Sequence, residues 1–251
     1  MEIQGDLCIR LKMRSQVLAE DQGGHVFWRV DEVEAEWNPA KTAVIVCDMW
    51  DRHWSKGATE RVSAMVPAMD RMIRSARSLG MTIIHAPSDT MDFYEGTPAR
   101  NRVMEAPHTD MPEKIGHADP ILPIDDSDGG SDTGETLSHK AWSRQHPGLF
   151  IDQDLDAISD SGQEIFNFLR MKGIGSLLIV GVHTNMCILG RSFAIREMVG
   201  LGFRVALVRD LTDALYNPAR APYVSHEEGT GLVVGYIEKF WCPSVSGWDF
   251  P

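Results

Sequence analysis

The sequence predicts a doubly wound α/β fold: a mainly parallel sheet with helices on both faces, in a Rossmann-like three-layer αβα arrangement, plus an N-terminal β-ribbon. Three observations predict it. Short runs such as residues 43–47 are continuously apolar and β-branched, as parallel strands covered on both faces are. Runs of this kind alternate with stretches whose apolar residues recur every three or four positions. Glycines stand where those stretches should stop.

Residues 7–14 and 25–33 alternate apolar and polar side chains around a polar, glycine-containing break at 21–24, and read as a two-stranded antiparallel ribbon. Trp37, Asn38 and Pro39 then punctuate the chain. After the strand 43–47, a helix over about 60–79 carries Val62, Met65, Val66, Met69, Met72, Ile73 and Ala76 on one face and stops at Gly80. Strand 81–85 completes a right-handed βαβ unit. Residues 86–139 are rich in Asp, Pro, Gly and Thr, show little periodicity, and read as a long loop insertion over the surface. Order returns with helix 165–171, strand 176–182, helix 188–199, strand 204–209, a helix over about 230–240 and a short strand at 242–245. The expectation is a single domain over 1–251, with 1–37 as a ribbon extension and 86–139 as the insertion.

With 24 basic and 36 acidic side chains the formal net charge is −12. No basic surplus exists to neutralise phosphate, so nucleic acid and anionic membrane are excluded as partners. Apolar runs are too short to span a bilayer and residues 1–10 have no signal-peptide core, so a soluble, cytoplasmic protein is expected. Four scattered cysteines argue against a disulfide framework and a thiolate zinc site. Cys8, Cys47 and Cys242 read as small buried hydrophobes. The stretch 125–132 has the composition of a calcium loop without its ligand spacing or closing glutamate, and reads as a solvated loop.

In a doubly wound sheet, ligands bind outside the carboxyl ends of the strands. Strand 43–47 runs into Asp48, followed closely by Trp50 and Trp54; a carboxylate that loses hydration there has its pKa raised, which suits a general base or acid. The alternative is an aspartate capping the next loop. Strand 176–182 runs into His183, Thr184, Asn185, Met186 and Cys187. A thiol at a helix N-terminus is favoured as thiolate, and the same N–H groups can hold an oxyanion. The alternative is a buried structural cysteine.

GVHTNMC between strand and helix, together with TAVIVCDMW, resembles the isochorismatase-like cysteine hydrolase superfamily, which includes nicotinamidases and carbamoylases. The similarity covers about residues 41–242. The resemblance implies an Asp–Lys–Cys triad, with Asp48 as base and Cys187 as nucleophile. It further implies a cis peptide between Val182 and His183, an oxyanion hole from the main-chain N–H groups of His183 and Cys187, and a homo-oligomer in which the ribbon could serve assembly. The lysine is where this sequence departs: counting back six residues from Phe150 lands on Arg144, and Lys140 is the nearest lysine. Arg144 is favoured as the partner of Asp48. No cofactor is expected. The Asp-x-His metal pair of nicotinamidases is missing after the second strand, where Asp89 is followed two residues on by Met91; Asp51, His53 and His85 are a weaker alternative metal set.

The activity this implies is hydrolysis of a small amide or other C–N substrate through a Cys187 thioester, with Trp50, Trp54 and His183 lining a pocket for a planar small molecule. The competing readings are an isochorismatase-like ether hydrolase, a metal-assisted amidase, and a catalytically silent binding or assembly protein. Thiol reactivity should separate the last: a low-pKa Cys187 alkylates well below pH 8, and a sluggish one favours the silent protein.

Overall fold

The computed structural model describes residues 8–247, so Leu7 of the predicted ribbon lies outside the described residues. An eight-stranded sheet has the order β2-β1-β8-β7-β6-β3-β4-β5. The ribbon strands β1 (Ile9–Glu20) and β2 (Val26–Trp37) pair antiparallel along their whole length, from Ile9 opposite Trp37 to Glu20 opposite Val26. Both run longer than their alternation indicated.

β3 (Thr42–Cys47) is buried at every position and lies parallel to β4 (Thr82–Ala86). Between them runs α1 (Lys56–Ser78), capped by the Ser55 hydroxyl, with Pro67 inside it. The insertion then contributes two short helices that its composition concealed, α2 (Met91–Tyr94) and α3 (Pro98–Met104). β5 (Ala157–Ile158) extends the sheet beside β4. α4 (Gly162–Lys172) leads to β6 (Ser176–Val182), which pairs parallel with β3.

The single helix expected at 188–199 is two, α5 (Cys187–Gly190) and α6 (Ile195–Gly200). β7 (Arg204–Asp213), α7 (His226–Phe240) and β8 (Ser244–Val245) complete the fold. β8 joins body to ribbon: it lies parallel to β7 and meets β1 antiparallel at Ser244 opposite Arg14.

Apolar residues of both strand faces are buried. Ile45, Ile84, Ile179 and Leu207 pack with Phe168, Ile188, Met198 and Ile237 from α4 to α7. Val44, Val46, Ile83 and Val180 pack on the other side with Val66, Met69 and Ile73 of α1, together with Leu11, Met13 and Trp37 of the ribbon. The ribbon is therefore partly core and not a free extension. Its tether is polar as well: Arg14 Nε and Gln16 Nε2 donate to the buried carboxylate of Glu238 at 2.8 and 2.9 Å. Cys47 and Cys242 are buried as expected, whereas Cys8, at the ribbon's start, is exposed. No described helix is long and apolar enough to cross a membrane.

Chain direction reverses its march across the sheet at β3, whose neighbours are β4 and β6. A crevice opens at such a switch point, outside the carboxyl ends of the strands. Gly181, near the end of β6, has φ +111°, and a Cβ there would lie 2.0 Å from the Cys47 carbonyl oxygen. Only glycine lets the two strand ends approach this closely.

Candidate active site

Asp48 follows β3 in the left-handed region, at φ +48°, which aspartate tolerates better than most residues. Its side chain is completely buried. Oδ1 accepts the Ser88 main-chain N–H at 2.8 Å, Oδ2 accepts Arg191 Nε at 2.8 Å, and the Cys187 thiol hydrogen-bonds the same carboxylate. Burial raises the Asp48 pKa, against the opposing charge of Arg191. The direction expected of a strand-end carboxylate is therefore present.

Cys187 is positioned by the turn after β6. The peptide between Val182 and His183 is cis, as the resemblance implied. The His183 carbonyl accepts the N–H groups of Met186 at 2.9 Å and Ile188 at 3.2 Å, while the His183 N–H points to the Cys187 sulfur. Burial pushes the Cys187 thiol up to about 12, reinforced by the adjacent Asp48 charge and opposed by Arg191. This overturns the expectation of a low-pKa thiol. α5 is one turn long, so its dipole is small, and desolvation beside a carboxylate dominates. A sluggish resting thiol consequently does not separate an enzyme from a silent protein here, because the proton's destination, Asp48, is already in contact.

The cation beside Asp48 is Arg191, not Arg144. Arg144 lies with its guanidinium 5.3 Å from the centre of the Phe93 ring, and its main-chain N–H caps Asp51. Lys140 is exposed and donates to the Asp89 carbonyl oxygen. Neither hydrogen-bonds Asp48. The break between α5 and α6 explains the exchange: Arg191 is extended, at φ −66° and ψ 151°, and turns its side chain back to the strand ends. No helical spacing signalled it, because Arg191 stands outside α5 in extended backbone. Counting from Phe150 looked to the wrong segment.

The aromatic residues do assemble. Trp50 is buried, donates Nε1 to the Ser88 carbonyl at 3.0 Å and stacks on Trp142 with centroids 4.2 Å apart. His53 sits between this pair and the site: it stacks on Trp142 at 5.8 Å, tilts against Trp54 at 5.2 Å and meets His183 edge-on at 4.8 Å. Trp142 carried no signal, because it lies just past the insertion, in a stretch with no period of its own. Burial holds His53 down to about 4, helped by the Arg61 charge, and holds His183 well below its ordinary value. Burial thus works against a charge on either ring, and His183 Nε2 has no hydrogen-bond partner among the described residues. Its ring faces His53, so its part beside the thiol is played by the main chain.

Asp51, His53 and His85 are not brought together as a metal set. Asp51 accepts the Ser143 N–H and hydroxyl at 2.9 and 2.7 Å, and the two ring nitrogens of His85 are engaged by Gln145 at 2.9 Å and Asp156 at 3.0 Å. Among the described residues, no group of three or more His, Cys, Asp or Glu side chains could hold a metal ion.

The acidic stretch 125–132 is not a solvated loop but the clamp that fastens the insertion over the strand ends. Asp126 accepts Asn185 Nδ2 at 2.8 Å, and Asp132 accepts Arg61 Nη1 at 2.7 Å. Gly130 passes so close to the Leu215 carbonyl that a Cβ would lie 2.2 Å from its oxygen. Asp213, the last residue of β7, holds Arg61 Nε and His226 Nε2, each at 2.9 Å.

Comparison with known proteins agrees with this architecture. No curated protein matches. A cysteine hydrolase from Pseudomonas syringae pv. phaseolicola 1448A has a similar structure at a TM-score of 0.53 and 18% identity, over 85% of this chain and 92% of that one. An assigned isochorismatase from Burkholderia xenovorans LB400 is similar at a TM-score of 0.51 and 15% identity, over 83% and 86% of the two chains. At such identities the likeness is one of fold. The family model of the isochorismatase domain matches residues 42–221, most of the chain and everything from β3 to the loop after β7. The chain belongs to the isochorismatase family, and by that membership it is a hydrolase.

Proposed function

We propose that the protein hydrolyses a small amide or related C–N substrate through a thioester on Cys187. The observation that carries this reading is the contact of the Cys187 thiol with a buried carboxylate, Asp48, that a guanidinium holds in place. Asp48 accepts the thiol proton as sulfur attacks the substrate carbonyl. The developing oxyanion is stabilised by main-chain N–H groups of His183 and Cys187. As the C–N bond breaks, Asp48 returns the proton to the leaving amine; it then takes a proton from water, which attacks the thioester and releases the acid and the thiol.

Its raised pKa makes Asp48 a stronger base than an exposed aspartate, and its charge is needed only at the moment of attack. The high resting pKa of the thiol fits this order, because proton transfer and attack are coupled and no standing thiolate is required. Arg191 orients Asp48 in the role expected of Arg144. The test is hydrolysis of aromatic carboxamides and N-carbamoyl amines by wild type and Cys187→Ala. Loss of all turnover in the variant is expected; equal activity in both would remove Cys187 as nucleophile.

A further inference from the structure

Toward the described residues, Arg191 uses one of its three nitrogens. Nε donates to Asp48 Oδ2, while Asp48 Oδ1 is turned to the Ser88 N–H, so the carboxylate cannot take the guanidinium side-on. No hydrogen bond to a described residue occupies Nη1 or Nη2. The Arg191 side chain is 33% exposed, against 0% for Asp48, and its charge acts on the Cys187 thiol as well as on Asp48. A lysine that held Asp48 would have no such second end.

Other arginines around the strand ends are used differently. Arg61 places Nε on Asp213 and both Nη atoms on Asp132, and Arg77 places Nε and Nη2 on Asp156. Two parallel N–H donors on a permanent cation match the two oxygens of a carboxylate.

We infer that the Nη1 and Nη2 groups of Arg191 bind a carboxylate of the substrate, so that the preferred substrates are small amides carrying a carboxylate close to the scissile C–N bond. This deepens the amide-hydrolase reading and rests on it for the position of the reacting carbonyl. Arg191 then joins two tasks, orienting Asp48 through Nε and placing the substrate through its fork. A neutral amide would leave the fork to water and lose the orienting contact.

The test measures binding by calorimetry in Cys187→Ala protein, where the proposed nucleophile is absent. The probes are formate, acetate, glyoxylate, malonate and benzoate, with acetamide and benzamide as neutral counterparts of acetate and benzoate. At least one carboxylate is expected to bind with a Kd of about 10 mM or tighter. Acetate or benzoate should bind about tenfold or more better than its amide, the scale of a charge-assisted bidentate contact. Arg191→Gln should weaken the carboxylate about ten- to hundredfold, and Arg191→Lys, which keeps charge but not fork, by a smaller factor. Circular dichroism reports whether each variant folds, and Arg191→Lys carries the test if Arg191→Gln does not.

Absence of carboxylate binding up to about 50 mM, equal binding of acid and amide, or affinity untouched by the Arg191 variants would overturn the inference. The hydrolase reading fails separately. Cys187-dependent turnover of neutral amides with no carboxylate preference removes only the fork's role, whereas carboxylate binding without Cys187-dependent turnover removes only the chemistry.

Discussion

Two arginines meet aspartates at the carboxyl edge of the sheet, and they are used in opposite ways. Arg61 is saturated: its three nitrogens hold Asp213 and Asp132, tying α1 to the end of β7 and to the insertion, with His226 completing the cluster from α7. Arg191 is used otherwise: one nitrogen holds Asp48 and no described residue hydrogen-bonds the other two. A guanidinium whose donors are all consumed by the protein can only hold the protein together, and one with donors left over can act on something else. The comparison separates an ion cluster closed within the protein from one with donors to spare, where residue types alone do not.

The largest effect should come from removing the proposed base, Asp48. Asp48→Asn should lower amide turnover by about two to four orders of magnitude, the range of general acid–base catalysis, with little change in denaturation midpoint if the site's role is chemical. A loss under tenfold, measured as kcat/KM, would break the catalytic side of the comparison.

Arg61→Ala should do the reverse. It leaves Asp132 and Asp213, both largely buried, without their cation, and should cost about 2–3 kcal/mol of stability in urea denaturation, somewhat below a fully buried pair because Arg61 is 26% exposed. Arg191→Gln should cost less stability and more turnover; equal stability losses in the two variants would blur the distinction.

Alkylation reads the site more finely. With the thiol near 12, the rate with iodoacetamide should climb about tenfold per pH unit from pH 7 to 9 without a plateau. Arg191→Gln removes a charge that favours thiolate and should slow the reaction further, while Arg61→Ala should leave it unchanged. A plateau near pH 7 would show that burial does not govern this thiol.

The smallest effect belongs to His226. Burial works to lower its pKa, but the hydrogen bond and charge of Asp213 prevail, and the folded value stands above the ordinary 6.5. The protonated ring is therefore bound more tightly in the folded state. Its contribution to stability is complete below pH 6.5 and is lost as pH rises through the higher folded value. His226→Gln should flatten the stability profile just above pH 6.5, by about 1 kcal/mol or less; an unchanged profile would remove His226 from the clamp.

Much of the fold was legible because it follows local chemistry. β3, β4, β6 and β7 announce themselves as unbroken apolar runs, and α1, α4 and α7 as amphipathic stretches. Asp48 and Cys187 were legible because one directly follows such a strand and the other opens the helix after one, where the switch point must lie. The insertion's helices, the clamp and Trp142 were not, since their partners lie dozens of residues away and no period marks them.

By itself the sequence determined the layered α/β body and the placing of Asp48 and Cys187 after the ends of β3 and β6, because backbone pairing and burial periodicity place strand ends wherever the chain allows. Only the tertiary structure decided which cation meets Asp48 and which protonation state the thiol rests in. Both depend on what is brought within a few ångströms after folding. A helix broken after one turn delivers Arg191 in place of Arg144, and desolvation beside a carboxylate outweighs the short helix that was to make Cys187 acidic.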